Sequence, residues 1–125
     1  MIPNDRKYTR DHEWVIIDGN VAKMGITEHA AEALGDIVYV ELPAIGDDVT
    51  AGDSYCIVES VKASSSVFSA VTGTVVAINE ELDSAPEKLN EDAYGQFIAA
   101  AEFTDIDDSR LMDATDYEAF LAEEE

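Results

Sequence analysis

Basic residues and cysteine are scarce in this 125-residue chain. Seven Lys and Arg stand against 28 Asp and Glu, which gives a formal net charge of −21. Nucleic-acid surfaces are built from clustered Lys and Arg, and anionic membranes attract the same residues. We therefore expect no nucleic acid and no membrane among the partners. The one cysteine, Cys56, has no second cysteine to pair with, and its apolar neighbours predict a buried, unreactive thiol.

Long apolar segments are also missing. No stretch approaches the ~18 apolar residues of a membrane span, and residues 1–8 lack the apolar core of a signal peptide. Together with the lone cysteine, these absences predict a cytoplasmic protein. The length suits one compact domain, and no low-complexity linker interrupts it, so we expect a single domain over residues 1–125.

The acidity has two explanations. It can be a docking surface for a basic partner, or an adaptation of the whole surface to a salty cytoplasm. Acidic residues are spread along the chain and lysine is rare throughout, with four in total, which favours the adaptation to salt. Self-repulsion among like charges is screened at high salt, because the Debye length falls to ~3 Å at 1 M.

Short apolar runs separated by Gly, Asp and Asn predict a mainly β fold. Asp18-Gly19 is expected to form a two-residue hairpin turn, and Thr27 to cap a short helix that ends at Gly35. The polar segment 79–94 is expected to be a loop with at most one helical turn. The last strand is expected near residues 97–103, and the tail is expected to be helical.

One of the four lysines, Lys62, lies between two strand-forming runs, 55–58 and 67–68. A group that visits several enzymes must be attached to an amine that projects from a rigid support, and the tip of a hairpin meets that need. The simpler interpretation of a lone lysine in such a turn is a solvated side chain.

The residues around Lys62 resemble the lipoylation motif of glycine cleavage H proteins, and further blocks agree in order and spacing. The matching blocks are Glu59-Ser60-Val61-Lys62-Ala63, Lys7-Tyr8-Thr9, His12-Glu13-Trp14-Val15, Gly25-Ile26-Thr27, Leu34-Gly35-Asp36-Ile37-Val38-Tyr39-Val40-Glu41-Leu42-Pro43, Asn90-Glu91-Asp92 and Tyr94-Gly95. The resemblance covers nearly the whole chain.

The resemblance implies a flattened lipoyl-domain-type sandwich (barrel-sandwich hybrid) of two antiparallel sheets with short edge helices. It implies a non-catalytic carrier with lipoic acid amide-linked to Lys62 by a lipoate ligase or lipoyl transferase. In this family a pyridoxal-phosphate (PLP)-dependent glycine decarboxylase loads an aminomethyl group on the lipoyl disulfide. A folate-dependent aminomethyltransferase then takes the methylene, and dihydrolipoamide dehydrogenase reoxidises the arm.

The loaded arm must be sheltered from water, and its ammonium would be met by a carboxylate. The resemblance gives that role partly to Glu13. The alternative interpretation of Glu13 is a solvated surface acid. Ser66 stands where family members usually carry a second ligand, an aspartate. Three other departures from the family pattern are Ala70 for a proline, Ala33 for a histidine, and residues 96–101 for a glycine-tryptophan-leucine run.

These departures leave two alternatives open: an H-like protein that donates lipoyl groups to other apoproteins, and an unmodified acidic binding module that retains only the fold. Biotin attachment is disfavoured because Val61 and Ala63 stand where biotinyl domains usually have methionines. His12 and His29 show no paired metal spacing, so no metal site is predicted.

Overall fold

The structure is a computed structural model, and it describes residues 2–124. Nine strands and four helices follow one another along these residues. In chain order they are β1 (Lys7–Tyr8), β2 (Glu13–Asp18), β3 (Val21–Ile26), α1 (Glu28–Leu34), β4 (Ile37–Glu41), β5 (Asp48–Val49), β6 (Ser54–Ser60), β7 (Ser64–Phe68), β8 (Val71–Ile78), α2 (Glu81–Ser84), α3 (Lys88–Glu91), β9 (Ala99–Ile106) and α4 (Ala114–Glu124). A 3-10 turn, Asp108–Arg110, precedes α4.

The strands form two antiparallel sheets. One has six strands in the order β1-β2-β3-β9-β8-β5, and the other has three in the order β4-β6-β7. The prediction of a mainly β sandwich with short helices and a C-terminal helix is confirmed. No helix within residues 2–124 is long and apolar enough to cross a membrane.

Most of the apolar side chains enclosed by the two sheets belong to one core, which includes Cys56. The Cys56 side chain is 3 % exposed, and burial raises the pKa of its thiol to about 12. A second, smaller cluster joins Tyr8, Trp14 and Tyr117 and attaches α4 to the first two strands. The rings of Tyr8 and Tyr117 are stacked with centroids 4.7 Å apart.

Three local predictions need correction. The β2–β3 turn is formed by Gly19 and Asn20, one residue later than predicted, because Asp18 still pairs with Val21. Segment 79–94 contains two short helices, since Leu82 and Leu89 are fully buried and draw each turn onto the core. The last strand is β9, which starts later and extends further than predicted.

Candidate functional site

Lys62 lies exposed in the turn that joins β6 to β7. Ser60 closes this turn, because its backbone N–H donates to the carbonyl of Ala63 at 2.8 Å. The Ser60 hydroxyl oxygen accepts from the N–H groups of Lys62 and Ala63 at 3.2 and 3.1 Å. Within the described residues, Nζ of Lys62 has no hydrogen bond and no ion pair. The turn is therefore fixed while the amine stays free.

The loop between α1 and β4 supports the turn from one side. The Val61 N–H donates to the Asp36 carbonyl at 3.0 Å. Asn90 holds the same loop, because its Nδ2 donates to the Gly35 carbonyl at 2.8 Å and its Oδ1 accepts from the Ile37 N–H at 2.9 Å. Asn90, from α3, thus holds both ends of the segment that receives the lysine turn.

Gly35 ends α1 with φ 80° and ψ −153°, a combination that is essentially restricted to glycine. A Cβ at this position would lie 3.3 Å from Cε and 3.8 Å from Nζ of Lys62. The aliphatic part of the Lys62 side chain therefore lies across the end of α1. The start of that helix is capped as predicted, because the Thr27 hydroxyl oxygen accepts from the Ala30 N–H at 3.2 Å.

Glu13 is buried, with 6 % of its surface exposed, so the alternative of a solvated acid is wrong. Its carboxylate accepts from the Phe68 backbone N–H at 2.6 Å and from the Thr9 hydroxyl at 3.0 Å. Burial raises the pKa of Glu13 to about 7, although both hydrogen bonds favour the charged form. Among residues 2–124, no cation is in direct contact with this buried carboxyl group.

Glu13 and Lys62 are positioned at opposite ends of α1. Glu13 pairs with Ile26, which directly precedes the cap residue Thr27, while Lys62 lies on Gly35 at the other end. Seven helical residues span about 10 Å. This distance could not be predicted from the sequence, because the two residues are far apart along the chain.

Trp14, the next residue of the His12-Glu13-Trp14 block, has a packing role. The Trp14 ring lies so close to Gly25 that a Cβ there would come within 2.5 Å of it. Its Nε1 donates to the Ala93 carbonyl at 3.2 Å, and the Arg6 guanidinium lies 4.6 Å from the ring centroid.

Ser66 lies exposed on β7, opposite Ile57 and at the edge of the smaller sheet.

Residues 6–124 match the family model described as Glycine cleavage H-protein. The chain belongs to the glycine cleavage H-protein family. It is 45 % identical over 126 residues to the glycine cleavage system H protein of Carboxydothermus hydrogenoformans, covering 99 % of this chain and 97 % of that one. It is 51 % identical over 120 residues to the glycine cleavage system H protein of Phenylobacterium zucineum, covering 93 % of this chain and 98 % of that one.

A crystal structure of a glycine cleavage system H protein from Mycobacterium marinum matches with a TM-score of 0.90 at 36 % identity. The match covers 97 % of this chain and 99 % of that one. Membership of the family supports the lipoyl-carrier role predicted from the sequence.

Proposed function

We propose that this protein carries lipoic acid on Lys62 and serves as the carrier of the glycine cleavage reactions. The observation that supports the proposal most directly is the free amine of Lys62 in an exposed turn whose backbone is held by Ser60 and by the Asp36 carbonyl. Acylation requires an accessible amine, and accurate presentation of a bound group requires a rigid base. A lipoate ligase or lipoyl transferase would attach the group. When bound, lipoyl supplies a disulfide that carries the aminomethyl group from a PLP-dependent glycine decarboxylase to an aminomethyltransferase and is reoxidised by dihydrolipoamide dehydrogenase.

In this proposal, Glu13 receives the positive charge of the loaded arm. A buried carboxyl group with a pKa of about 7 carries a large desolvation cost when it ionises, and a nearby ammonium would reduce that cost. The hydrogen bonds from Phe68 and Thr9 orient the carboxyl group in advance. Residues Lys62 and Glu13 at the two ends of α1 then define where the arm starts and where its charged end is held.

Ser66 is proposed as a weaker contact for the same arm. It lies on β7 between the lysine turn and Phe68, whose N–H holds Glu13. A serine hydroxyl supplies a hydrogen bond but no charge. Glu13 would therefore provide the ionic part of the contact without a second carboxylate at position 66.

The attachment site is tested by intact mass after expression in a lipoylating host. We expect one lipoyl group on the wild-type chain and none on Lys62→Ala. Lys88→Ala is the matched control, because the Lys88 amine pairs with Glu81 at 3.6 Å and lies on α3. A lipoyl group that persists on Lys62→Ala, or an unmodified wild-type chain, would contradict the proposed site.

The carrier role is tested by glycine–bicarbonate exchange with the decarboxylase. The lipoylated chain should stimulate exchange, and the Lys62→Ala chain should not. A lipoylated chain that fails to stimulate exchange but passes its lipoyl group to another apoprotein would favour the alternative of a lipoyl donor. An exchange rate that is normal for Glu13→Gln across neutral pH would remove Glu13 from the proposal and leave Lys62 in it.

A further inference from the structure

Three side chains that are distant in sequence meet at the start of α1. They are His12 from the turn before β2, His29 from α1 and Glu124 from the last turn of α4, and their ligand atoms lie within 4.8 Å of one another. We propose that this cluster binds a divalent transition-metal ion, with Zn²⁺ as its preferred occupant. The site is separate from the lysine turn, which lies at the other end of α1.

The donor set determines the class of ion. Two imidazoles and one carboxylate are the protein ligands of an open four-coordinate zinc site, with water in the fourth position. Mg²⁺ and Ca²⁺ prefer oxygen ligands throughout and gain little from imidazole nitrogen. The two histidines therefore distinguish this cluster from the many acidic side chains elsewhere on the surface.

The hydrogen bonds around His12 determine which of its ring nitrogens can bind the ion. The Tyr117 hydroxyl donates to Oγ1 of Thr27 at 2.9 Å, so its oxygen is available to accept from Nδ1 of His12 at 2.8 Å. In that arrangement Nε2 of His12 presents its lone pair to Oε2 of Glu124, 3.3 Å away. Two lone pairs facing each other repel, and a cation between them satisfies both.

Tyr117 then acts as the partner that orients a ligand ring. A metal-binding histidine usually donates its other N–H to a protein acceptor, which fixes the tautomer and the ring plane. Tyr117 is fully buried and stacked on Tyr8, so its hydroxyl is a hydrogen-bond partner of fixed position for His12.

His29 supplies the second imidazole. The Nδ1 atom of His29 is buried and has no hydrogen-bond partner among the described residues. The ring stands nearly edge-on to that of His12, with centroids 4.2 Å apart and an interplanar angle of 77°. A buried ring nitrogen that lacks a partner is costly, and in the described part of the chain no protein group holds this one.

The ligand atoms lie within 4.8 Å of one another, which a bound ion would shorten. Ligand atoms about 2.1 Å from a tetrahedral zinc lie roughly 3.4 Å apart. The His12–Glu124 separation of 3.3 Å is already close to this value, and the side chain of Glu124 is 39 % exposed, so it has room to change rotamer. A bound ion would hold the end of α4 against the start of α1.

The test is a zinc titration of the full-length chain in competition with a fluorescent chelator. The protein is purified without lipoic acid, so that no dithiol competes for zinc, and stripped with EDTA. One ion should bind per chain, and the melting temperature should rise with zinc. His29→Gln and Glu124→Gln should each weaken binding at least about tenfold, and Tyr117→Phe should weaken it by about tenfold through the loss of its contact with His12.

Glu123→Gln is the matched control, because it removes the same charge from the same turn of α4 outside the cluster and should leave the affinity unchanged. Titration with Co²⁺ adds a spectroscopic readout, since a four-coordinate site with imidazole ligands gives intense visible absorption. Melting temperatures in EDTA show that each variant is folded.

Three outcomes would overturn the proposal. Equal losses for Glu123→Gln and Glu124→Gln would indicate diffuse binding to surface carboxylates. An affinity unchanged in His29→Gln would remove the second imidazole. Absence of one-to-one binding would indicate that a proton on Nε2 of His12 links it to Glu124 in an ordinary ion pair.

Discussion

The Lys62 side chain lies across Gly35, so that any Cβ at Gly35 would press against Cε of the lysine at 3.3 Å. Gly35 is thus restricted twice, by its own backbone angles and by the residue that lies on it. The free amine and the end of α1 consequently form one structural unit.

Gly35→Ala should destabilise the fold by about 1–3 kcal/mol, because its φ and ψ values are strained for any residue with a Cβ. It should also slow lipoylation by displacing Lys62. Denaturant unfolding and intact-mass time courses measure the two effects. Gly46→Ala is the matched control, since Gly46 has φ 98° but an added Cβ there would meet no heavy atom within 4 Å. An equal slowing of lipoylation in the control would show that the contact with Lys62 is irrelevant.

Asn90→Ala should loosen the lysine turn without unfolding the protein. Asn90 is exposed, so the loss of its two hydrogen bonds should cost about 1 kcal/mol. Amide hydrogen exchange gives the local readout: the Val61 N–H, which bonds to Asp36, should exchange faster. The Gly46 N–H, bonded to Val75, should be unaffected. Uniformly faster exchange across both amides would indicate a global effect instead.

Glu13→Gln should stabilise the protein increasingly as the pH rises from about 4.5 to 7. The pKa of Glu13 is raised on folding from 4.5 to about 7, so the folded state retains a proton that the unfolded state releases. The favourable contribution of Glu13 is therefore complete below pH 4.5 and is lost as the pH passes 7. The difference between variant and wild type should reach about 3 kcal/mol at most.

The groups that influence this titration are Thr9 and Phe68, which donate hydrogen bonds, and the charges of Asp11 and Arg110. Urea unfolding at several pH values measures the difference. Glu41→Gln is a suitable control, because Glu41 is exposed on β4. A Glu13→Gln difference that stays constant from pH 4.5 to 8 would contradict the raised pKa.

Stability should rise steeply with KCl if the acidity reflects adaptation to salt. Seven basic residues can neutralise at most a quarter of the 28 acidic ones, so repulsion remains throughout the surface. Melting temperatures from low to molar KCl test this, with sucrose at equal osmolality as the control for solvent exclusion. A flat salt dependence would favour the docking-surface explanation.

The sequence was sufficient for features set by local chemistry. Thr27 and Gly35 bound α1 as predicted, because a cap hydroxyl and a glycine-only conformation are local requirements. The burial of Glu13 was not predictable, since three successive residues at the start of β2 are buried instead of alternating. That end of β2 is covered on both faces, and only the packing of distant elements shows it.

The cluster of His12, His29 and Glu124 was beyond prediction for a related reason. Metal motifs are recognised by short spacings, and these residues are brought together by the docking of α4 through Tyr117. The helices in segment 79–94 likewise depend on two buried leucines whose partners lie elsewhere in the chain.

The depth of Cys56 has a practical consequence for the chemistry proposed at Lys62. Thiol–disulfide exchange proceeds through thiolates, and a thiol with a pKa of about 12 offers almost none at neutral pH. A reduced arm would therefore meet no reactive thiolate on its own chain. Cys56 would neither form a mixed disulfide with the arm nor exchange electrons with it. Alkylating reagents applied to the native protein would report on the arm alone.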